Sequence, residues 1–262
     1  MNRIILVTGA SSGLGYAAAA AFTAAGDRVY GTSRTGRAGP EGCVMLPLDV
    51  DDPASCTACM KRVEEETGRL DVLVNNAGFG IAGPVELTEE AAMKRQFETL
   101  FFGAVRMAQL ALPLMRAQGG GRIIQISSAA AALPVPFQGF YSAAKAALEV
   151  LTYAMGAEVK AFGVRLSCIE FGDMKTGFTA DRETSDAAPP YGERFQKSVA
   201  RMAHDEQNGP LPVGAAKLIL KVSRKKDPKP LYVCGFTYKA FAIFRRLLPY
   251  RLSGWVIGKL YG

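Results

Sequence analysis

Residues 8–15 read TGASSGLG, and they stand between a short β-branched run at residues 4–8 and an alanine-rich stretch at residues 14–25. The glycines of this segment are Gly9, Gly13 and Gly15. Glycine permits a tight turn and a close approach of the backbone to a pyrophosphate, whose charge is favoured by the free N–H groups at the start of a helix. The segment therefore predicts a strand, a phosphate-binding turn and a helix. A glycine-rich turn without a ligand is the alternative.

The same alternation of short apolar runs and helical stretches continues along the chain. Further strands are predicted at residues 28–33, 44–48, 70–75, 122–127, 164–169 and 231–234, and helices at residues 53–68, 88–118, 140–161 and 213–224. Repeated strand–helix units predict a doubly wound parallel sheet with helices on both faces. We find neither a repeat nor a linker, so we expect one domain over residues 1–262, with an irregular substrate loop at about residues 173–210.

Composition excludes several classes of protein. Of the 262 residues, 49% are hydrophobic and 21% are charged, which is typical of a globular chain. The single histidine argues against a His-rich metal site, and Cys56 and Cys59 fall inside a predicted helix, so we expect no metal. The net charge of +7 is not spread over a recognisable nucleic-acid module, so no nucleic-acid partner is expected. Without a long apolar run, we expect a cytoplasmic protein.

The end of the second predicted strand bears on the choice of cofactor. An NAD-binding domain usually has an acid there, against the ribose 2′-hydroxyl. This chain has Thr32, Ser33 and Arg34 instead. The Arg34 guanidinium can pair with a 2′-phosphate, and Ser11 or Ser12 can add a hydroxyl contact. These residues indicate NADP(H), unless Arg34 merely faces solvent.

Tyr141 and Lys145 occupy positions i and i+4 of a predicted helix, which places both side chains on one face. A free tyrosine has a pKa of about 10 and is a poor acid–base group near neutrality, but an adjacent ammonium stabilises the phenolate. Ser128 ends the preceding strand and can hold a substrate oxygen. An isolated Y-x-x-x-K pair occurs on many helices, so the pair indicates a catalytic site only in combination with the other motifs.

Together, the glycine segment, the sequence NNAG at residues 75–78, Ser128 and Y-x-x-x-K resemble the short-chain dehydrogenase/reductase family over about residues 1–180. The resemblance implies a single Rossmann-type domain and a homodimer or homotetramer. It implies that Tyr141 is the catalytic acid/base, that Lys145 binds the nicotinamide ribose and tunes Tyr141, and that Ser128 orients the carbonyl. The implied cofactor contacts are, in addition to Lys145 and Tyr141, Gly9, Gly13, Gly15, Asp49, Val50, Asn75, Ala77, Gly78 and Thr176.

Two positions depart from the family pattern. Leu100 stands where many members have an asparagine of a proton relay, and Phe171 precedes Gly172 where a proline is usual. The departures motivate an alternative reading, a cofactor-binding regulator or scaffold with weakened catalysis. The retained Ser128, Tyr141 and Lys145 favour an enzyme that interconverts a ketone and a secondary alcohol.

Bulky apolar residues flank the catalytic motifs in sequence: Phe79, Phe137, Phe140, Phe171, Met174 and Phe178. They indicate an apolar pocket, although core packing explains several of them equally well. The general layout resembles hydroxysteroid and retinol dehydrogenases of the family. We therefore expect a bulky apolar ketone or alcohol, steroid-like in class.

The segment at residues 236–262 is basic and amphipathic. From residue 217 onward the chain has eleven Lys or Arg and a single acid, Asp227. Apolar residues spaced three or four apart, interrupted by Pro249, predict two short helices. The segment either packs on its own domain or a second subunit, or covers the substrate pocket while resting on an anionic membrane surface.

Overall fold

The computed structural model describes residues 2–36, 39–185, 189–235, 238–240 and 250–261. Its strands are β1 (Ile4–Val7), β2 (Arg28–Ser33), β3 (Val44–Pro47), β4 (Val72–Asn75), β5 (Ile81–Ala82), β6 (Gly121–Ser128), β7 (Val164–Phe171), β8 (Glu183–Thr184) and β9 (Leu231–Val233). Seven of them form a parallel sheet in the order β3-β2-β1-β4-β6-β7-β9, and β5 pairs with β8. The predicted α/β fold with a Rossmann-type parallel sheet is confirmed. The strand order reverses between β1 and β4, where such sheets open a crevice at their carboxyl edge.

Helices cover both faces of this sheet. They are α1 (Gly13–Ala24), α2 (Pro53–Thr67), α3 (Glu90–Phe97), α4 (Ala104–Ala117), α5 (Ala129–Ala132), α6 (Gly139–Val159), α7 (Gly192–Gln207), α8 (Val213–Ser223) and α9 (Tyr250–Tyr261). Buried residues of α2, α4 and α6 form the core on one face, and those of α1 and α8 form the core on the other. The central strands β1, β4, β6 and β7 are almost wholly buried, as their continuous apolar runs predict.

Helix α2 shows how closely local sequence fixes an element boundary. Asp52 precedes the helix and its carboxylate accepts a hydrogen bond from the Ala54 N–H at 2.9 Å, while Pro53 occupies the first turn. Gly68 ends the helix with φ at +66°, a left-handed conformation that favours glycine. Both ends follow the sequence prediction, because capping depends on neighbouring residues alone.

Two predicted segments differ in the structure. The segment at residues 173–210, expected to be irregular, contains α7, which buries Phe195, Ser198 and Met202 along one side. The helix expected over residues 88–118 is interrupted by a π-helical segment, Glu98–Gly103, between α3 and α4. The wider turn lies where Gly103 packs against Val50, so closely that a Cβ atom there would lie 2.9 Å from the Val50 Cβ.

The described part of the basic segment consists of helical residues 238–240 and α9 (Tyr250–Tyr261), which lies beside α7. Residues 241–249, where the first of the two predicted helices falls, lie outside the described residues. Among the described residues, none of the helices has the length and the apolar character needed to cross a bilayer.

Candidate active site

The glycine turn between β1 and α1 is fixed by Thr8 and Asn76. The Thr8 hydroxyl accepts hydrogen bonds from the Asn76 and Ala77 N–H groups at 2.9 and 3.0 Å. The Asn76 side-chain amide donates to the carbonyl oxygens of Thr8 and Gly9 at 3.0 and 3.1 Å. The turn after β1 is thereby joined to the segment after β4, across the crevice where the strand order reverses.

Gly15 makes the turn compact. A Cβ atom at this position would lie 2.1 Å from the Gly9 carbonyl oxygen and 2.4 Å from the Asn76 amide nitrogen. Gly9 itself has φ at +66°, a conformation that side chains disfavour. Gly15 is therefore required for packing of the helix on the turn, and the first residues of α1 remain open to a phosphate.

One large cavity of about 810 Å³ runs from this turn along the carboxyl edge of the sheet. The predicted cofactor residues that line it are Gly9, Ser11, Ser12, Gly13, Arg34, Asp49, Val50, Ala77, Gly78, Tyr141, Lys145 and Thr176. Two predicted cofactor residues, Gly15 and Asn75, do not line it. Asn75 is buried and its amide donates to the Ala104 carbonyl at 2.8 Å, so it holds the start of α4, and its neighbour Asn76 faces the cavity.

Ser128, Tyr141 and Lys145 all line this cavity, and the Tyr141 and Ser128 side chains are hydrogen-bonded to each other. The carboxyl end of β6 supplies Ser128, and the first two turns of α6 supply Tyr141 and Lys145. Burial raises the pKa of Tyr141 to about 12, and the hydrogen bond with Ser128 acts against this increase. The ring of Phe178 contacts the ring of Tyr141 edge to face at 5.9 Å.

Lys145 is buried beneath the tyrosine. Its Nζ donates to the Ile126 carbonyl at 2.7 Å and lies 5.9 Å from the centroid of the Tyr141 ring. Burial lowers the pKa of Lys145 to about 8, while the nearby Cys168 and Glu149 act in the opposite direction. A lysine with this pKa is mostly charged at neutral pH.

Leu100 lies in the π-helical segment and lines the cavity, with its side chain against Gly78. It is fully buried, at 2% exposure. Leucine has no polar group, so the side chain at this position cannot take part in a proton relay. The position instead contributes apolar surface beside the Gly78 backbone.

The predicted substrate residues separate into two groups. Phe79, Phe171, Met174 and Phe178 line the cavity, whereas Phe137 and Phe140 are absent from its lining in the part of the chain that the structure describes. Phe137 packs in a separate cluster with its ring 5.4 Å from that of Phe195. Phe137 thereby packs the loop before α6 against α7.

Sequence reasoning missed several polar residues of the cavity wall: Asn76, Gln138, Asp173, Asp181, Glu206 and Tyr238. Asn76 could have been predicted from the sequence, because it belongs to the NNAG motif at residues 75–78. Glu206 depends on the unpredicted α7, and Tyr238 belongs to the basic segment. The Tyr238 hydroxyl donates to the Asp173 carboxylate at 2.5 Å, and its ring lies directly over Gly172.

A dinucleotide-sized groove at a helix N-terminus, continuous with a Ser–Tyr–Lys group and an apolar recess, defines a nicotinamide-dependent oxidoreductase of CH–OH or keto groups. A family model described as short chain dehydrogenase matches residues 3–187. The chain therefore belongs to the short-chain dehydrogenase family, whose fold binds a nicotinamide cofactor.

Individual relatives extend this result. A 3-ketodihydrosphingosine reductase of Bacteroides thetaiotaomicron is 40% identical over 231 residues, which cover 86% of this chain and 85% of that protein. The 17-beta-hydroxysteroid dehydrogenase type 1 of Homo sapiens is 39% identical over 193 residues, covering 68% of this chain and 58% of that protein. The crystal structure of a short-chain dehydrogenase from Streptomyces avermitilis superposes with a TM-score of 0.86 at 32% identity and covers 94% of this chain and 92% of that one.

Proposed function

We propose that the protein is an NADP(H)-dependent reductase of a ketone on a bulky, lipid-like molecule. The observation behind this proposal is that Ser128, Tyr141 and Lys145 share one cavity with both the nucleotide groove and an apolar recess. Ser128 and Tyr141 hold the substrate oxygen, and Tyr141 gives its proton to that oxygen as the carbonyl carbon is reduced. Bound NADPH would supply the hydride for this reduction. Lys145 binds the nicotinamide ribose and stabilises the phenolate that remains.

Two classes of substrate follow from the relatives. The reductase of Bacteroides thetaiotaomicron is named for a sphingoid ketone, and the human relative is named for a hydroxysteroid. The sphingoid ketone and the ketone form of a hydroxysteroid are both largely apolar, which suits the recess beside Tyr141, lined by Phe79, Phe171 and Phe178. A panel containing both classes, assayed with NADPH and with NADH, tests the proposal. Cofactor binding without oxidation across the panel would instead support the scaffold alternative.

Preference for NADPH over NADH is expected to be at least tenfold in affinity, which is about 1.4 kcal/mol. Arg34 is exposed and lines the groove beside Ser33, at a position without a carboxylate to repel a 2′-phosphate. Arg34→Asp should abolish or invert the preference, because it places a negative charge against the phosphate. The affinities are measured by titration of NADPH and NADH into the purified protein.

Lys61→Asp is the matched control for this change. The Lys61 side chain is 70% exposed on α2, so its replacement alters the net charge equally and leaves the groove intact. Equal affinity of the parent protein for both cofactors would contradict the NADP(H) assignment. If Arg34→Asp and Lys61→Asp changed the preference for NADPH equally, the change would result from net charge and not from a contact of Arg34.

The basic segment is proposed to rest on an anionic membrane surface and to cover the substrate recess. Helix α9 exposes two large apolar residues, Leu252 at 44% and Trp255 at 59%, together with Arg251 and Lys259. Basic side chains near anionic headgroups contribute about 1 kcal/mol each, and tryptophan favours the interface. A lipid-like substrate would then reach the cavity from the membrane.

Sedimentation with vesicles measures this contact. Binding is expected to require anionic lipid, to weaken as salt is raised, and to fall severalfold when Arg245, Arg246 and Arg251 are all replaced by Glu. The control replaces three exposed lysines outside the segment, Lys61, Lys94 and Lys197, by Glu. Vesicle binding that does not depend on lipid charge and is unchanged in both triple variants would contradict the membrane contact. The segment would then have only a packing role.

We also propose self-association as a homodimer or homotetramer. The run at residues 110–115 places Ala111 and Met115 in the core, with Leu110, Leu112 and Leu114 partly buried beside it. Helix α6 exposes Val150 at 71% and Tyr153 at 45%. A second copy of the chain would cover these side chains.

A further inference from the structure

A polar contact joins strand β6 to helix α6 next to the reacting group. Ser127 directly precedes Ser128 on β6, is only 3% exposed and lines the cavity. Its hydroxyl donates a hydrogen bond to the carboxylate of Glu149 on α6. Neither Ser127 nor Glu149 takes part in the proposed transfer of hydride and proton.

Glu149 lies one helical turn after Lys145. The two residues occupy positions i and i+4 of α6, so their side chains share one face of the helix. Lys145 Nζ donates to the carbonyl of Ile126, and the Glu149 carboxylate accepts from the hydroxyl of Ser127, the next residue of β6. The ammonium and the carboxylate are thus both held against consecutive residues of one strand.

The charged form of Lys145 depends on the groups around it, because burial lowers the pKa of this lysine. Two described side chains oppose burial, Cys168 of β7 and Glu149. The Cys168 thiol has a pKa of about 12, as has the Tyr141 hydroxyl, so both groups are uncharged near pH 8. The carboxylate of Glu170, also on β7, acts on the Cys168 thiol. Glu149 is therefore the group that places a negative charge near Lys145 in the neutral pH range.

Filling of the cavity makes this negative charge more important. Lys145 lines the cavity, so a molecule bound beside it displaces water from the ammonium and further disfavours the charged form. A carboxylate that is free in solvent is screened by water and salt, whereas a partly buried one is screened much less. Glu149 is half-buried, and its bond to Ser127 fixes the carboxylate on the side of the sheet.

We propose that Glu149 is a positioning residue for the reaction: held by Ser127, its carboxylate keeps Lys145 protonated in the closed environment of the filled cavity. This inference rests on the proposed reduction with NADPH, in which the Lys145 ammonium binds the ribose. Glu149 is absent from the described lining of the cavity, so it acts through Lys145 and not by contact with the reactants. The upper end of the working pH range is then set by a residue outside the cavity.

Glu149→Gln tests this role, because glutamine removes the charge but keeps the size and an oxygen that can accept the Ser127 hydroxyl. NMR of the cofactor-free protein with ¹³C-labelled lysine measures the protonation of Lys145, whose signal is the one absent from Lys145→Met. We expect the midpoint of this titration to fall by about one pH unit, from about 8 to about 7. The loss of kcat/KM for NADPH should accordingly be about fivefold at pH 8 and less than about twofold at pH 6, where Lys145 is protonated in both proteins.

Three further variants separate this charge from other effects. Glu158→Gln removes an exposed carboxylate of the same helix and should leave the NMR midpoint of Lys145 unchanged. Cys168→Ala should also leave it unchanged, because the thiol is uncharged near pH 8. Ser127→Ala keeps the charge of Glu149 but releases its carboxylate, so the midpoint should fall by less than in Glu149→Gln.

An unchanged midpoint in Glu149→Gln, or an equal shift in Glu158→Gln, would overturn the role of Glu149. A loss of activity that is the same at pH 6 and pH 8 would also overturn it, since it would indicate a structural defect. An unchanged midpoint in Ser127→Ala would show that the hydroxyl does not hold the carboxylate in place. Failure to reduce any ketone would refute the proposed function, whereas the NMR midpoints would still decide whether Glu149 controls the charge of Lys145.

Discussion

Replacing Tyr141 with Phe is expected to lower ketone reduction by roughly 10²–10⁴-fold, the usual contribution of a positioned acid–base group. This corresponds to about 3–5 kcal/mol of transition-state stabilisation. The substitution removes only the hydroxyl, since a phenylalanine ring can retain the contact with Phe178. NADPH affinity should therefore remain close to that of the native protein, and kcat should fall while cofactor binding persists.

Turnover of the best ketone and direct titration of NADPH check this expectation together. Tyr153→Phe is the matched control, because Tyr153 lies on the same helix α6 but is 45% exposed. It should leave both quantities unchanged. Near-normal turnover by Tyr141→Phe would show that the proton comes from another group. A parallel loss of NADPH affinity would show that the variant has disturbed the groove.

The strands and the first helices could be predicted from sequence because their signals are local. Continuous apolar runs fix the buried parallel strands, and the Asp52–Pro53 start and Gly68 end of α2 are determined by capping. Helix α7 was missed for the opposite reason. The sequence before it contains Pro189 and Pro190, which obscured the helix. Its apolar side packs against Ala82 and Phe137, which are distant in sequence.

Much of the candidate site was also predictable from motifs, but its polarity was not. Turn chemistry and the spacing of Tyr141 and Lys145 identify the groove and the reacting group. Asp173 and Glu206 are 33 residues apart in sequence and reach one cavity wall only through the packing of α7 and the segment after β7. No sequence period connects such residues. The expectation of an apolar pocket therefore rested on the aromatic residues, which the sequence does show.

Lys145 gives the second large effect, which appears as a dependence on pH. Because burial lowers the pKa of Lys145 to about 8, the ammonium is present below that pH and is lost above it. The ammonium binds the ribose and stabilises the Tyr141 phenolate in the proposed mechanism, so its loss should reduce both functions. We expect kcat/KM for NADPH to fall about tenfold per pH unit above about pH 8, whereas a lysine of ordinary pKa would remain charged to about 10.4.

Lys145→Arg tests this assignment, since arginine stays charged over the whole range. The larger guanidinium cannot reproduce the 2.7 Å bond from the Lys145 Nζ to the Ile126 carbonyl, so the rate should be lower at every pH. The decline near pH 8 should nevertheless disappear, because no proton is lost there. Lys145→Met, which has no charge, should be at least 10²-fold less active throughout and bind NADPH more weakly. A decline near pH 8 that persists in Lys145→Arg would belong to another group, and the charge of Lys145 would then not control the reaction.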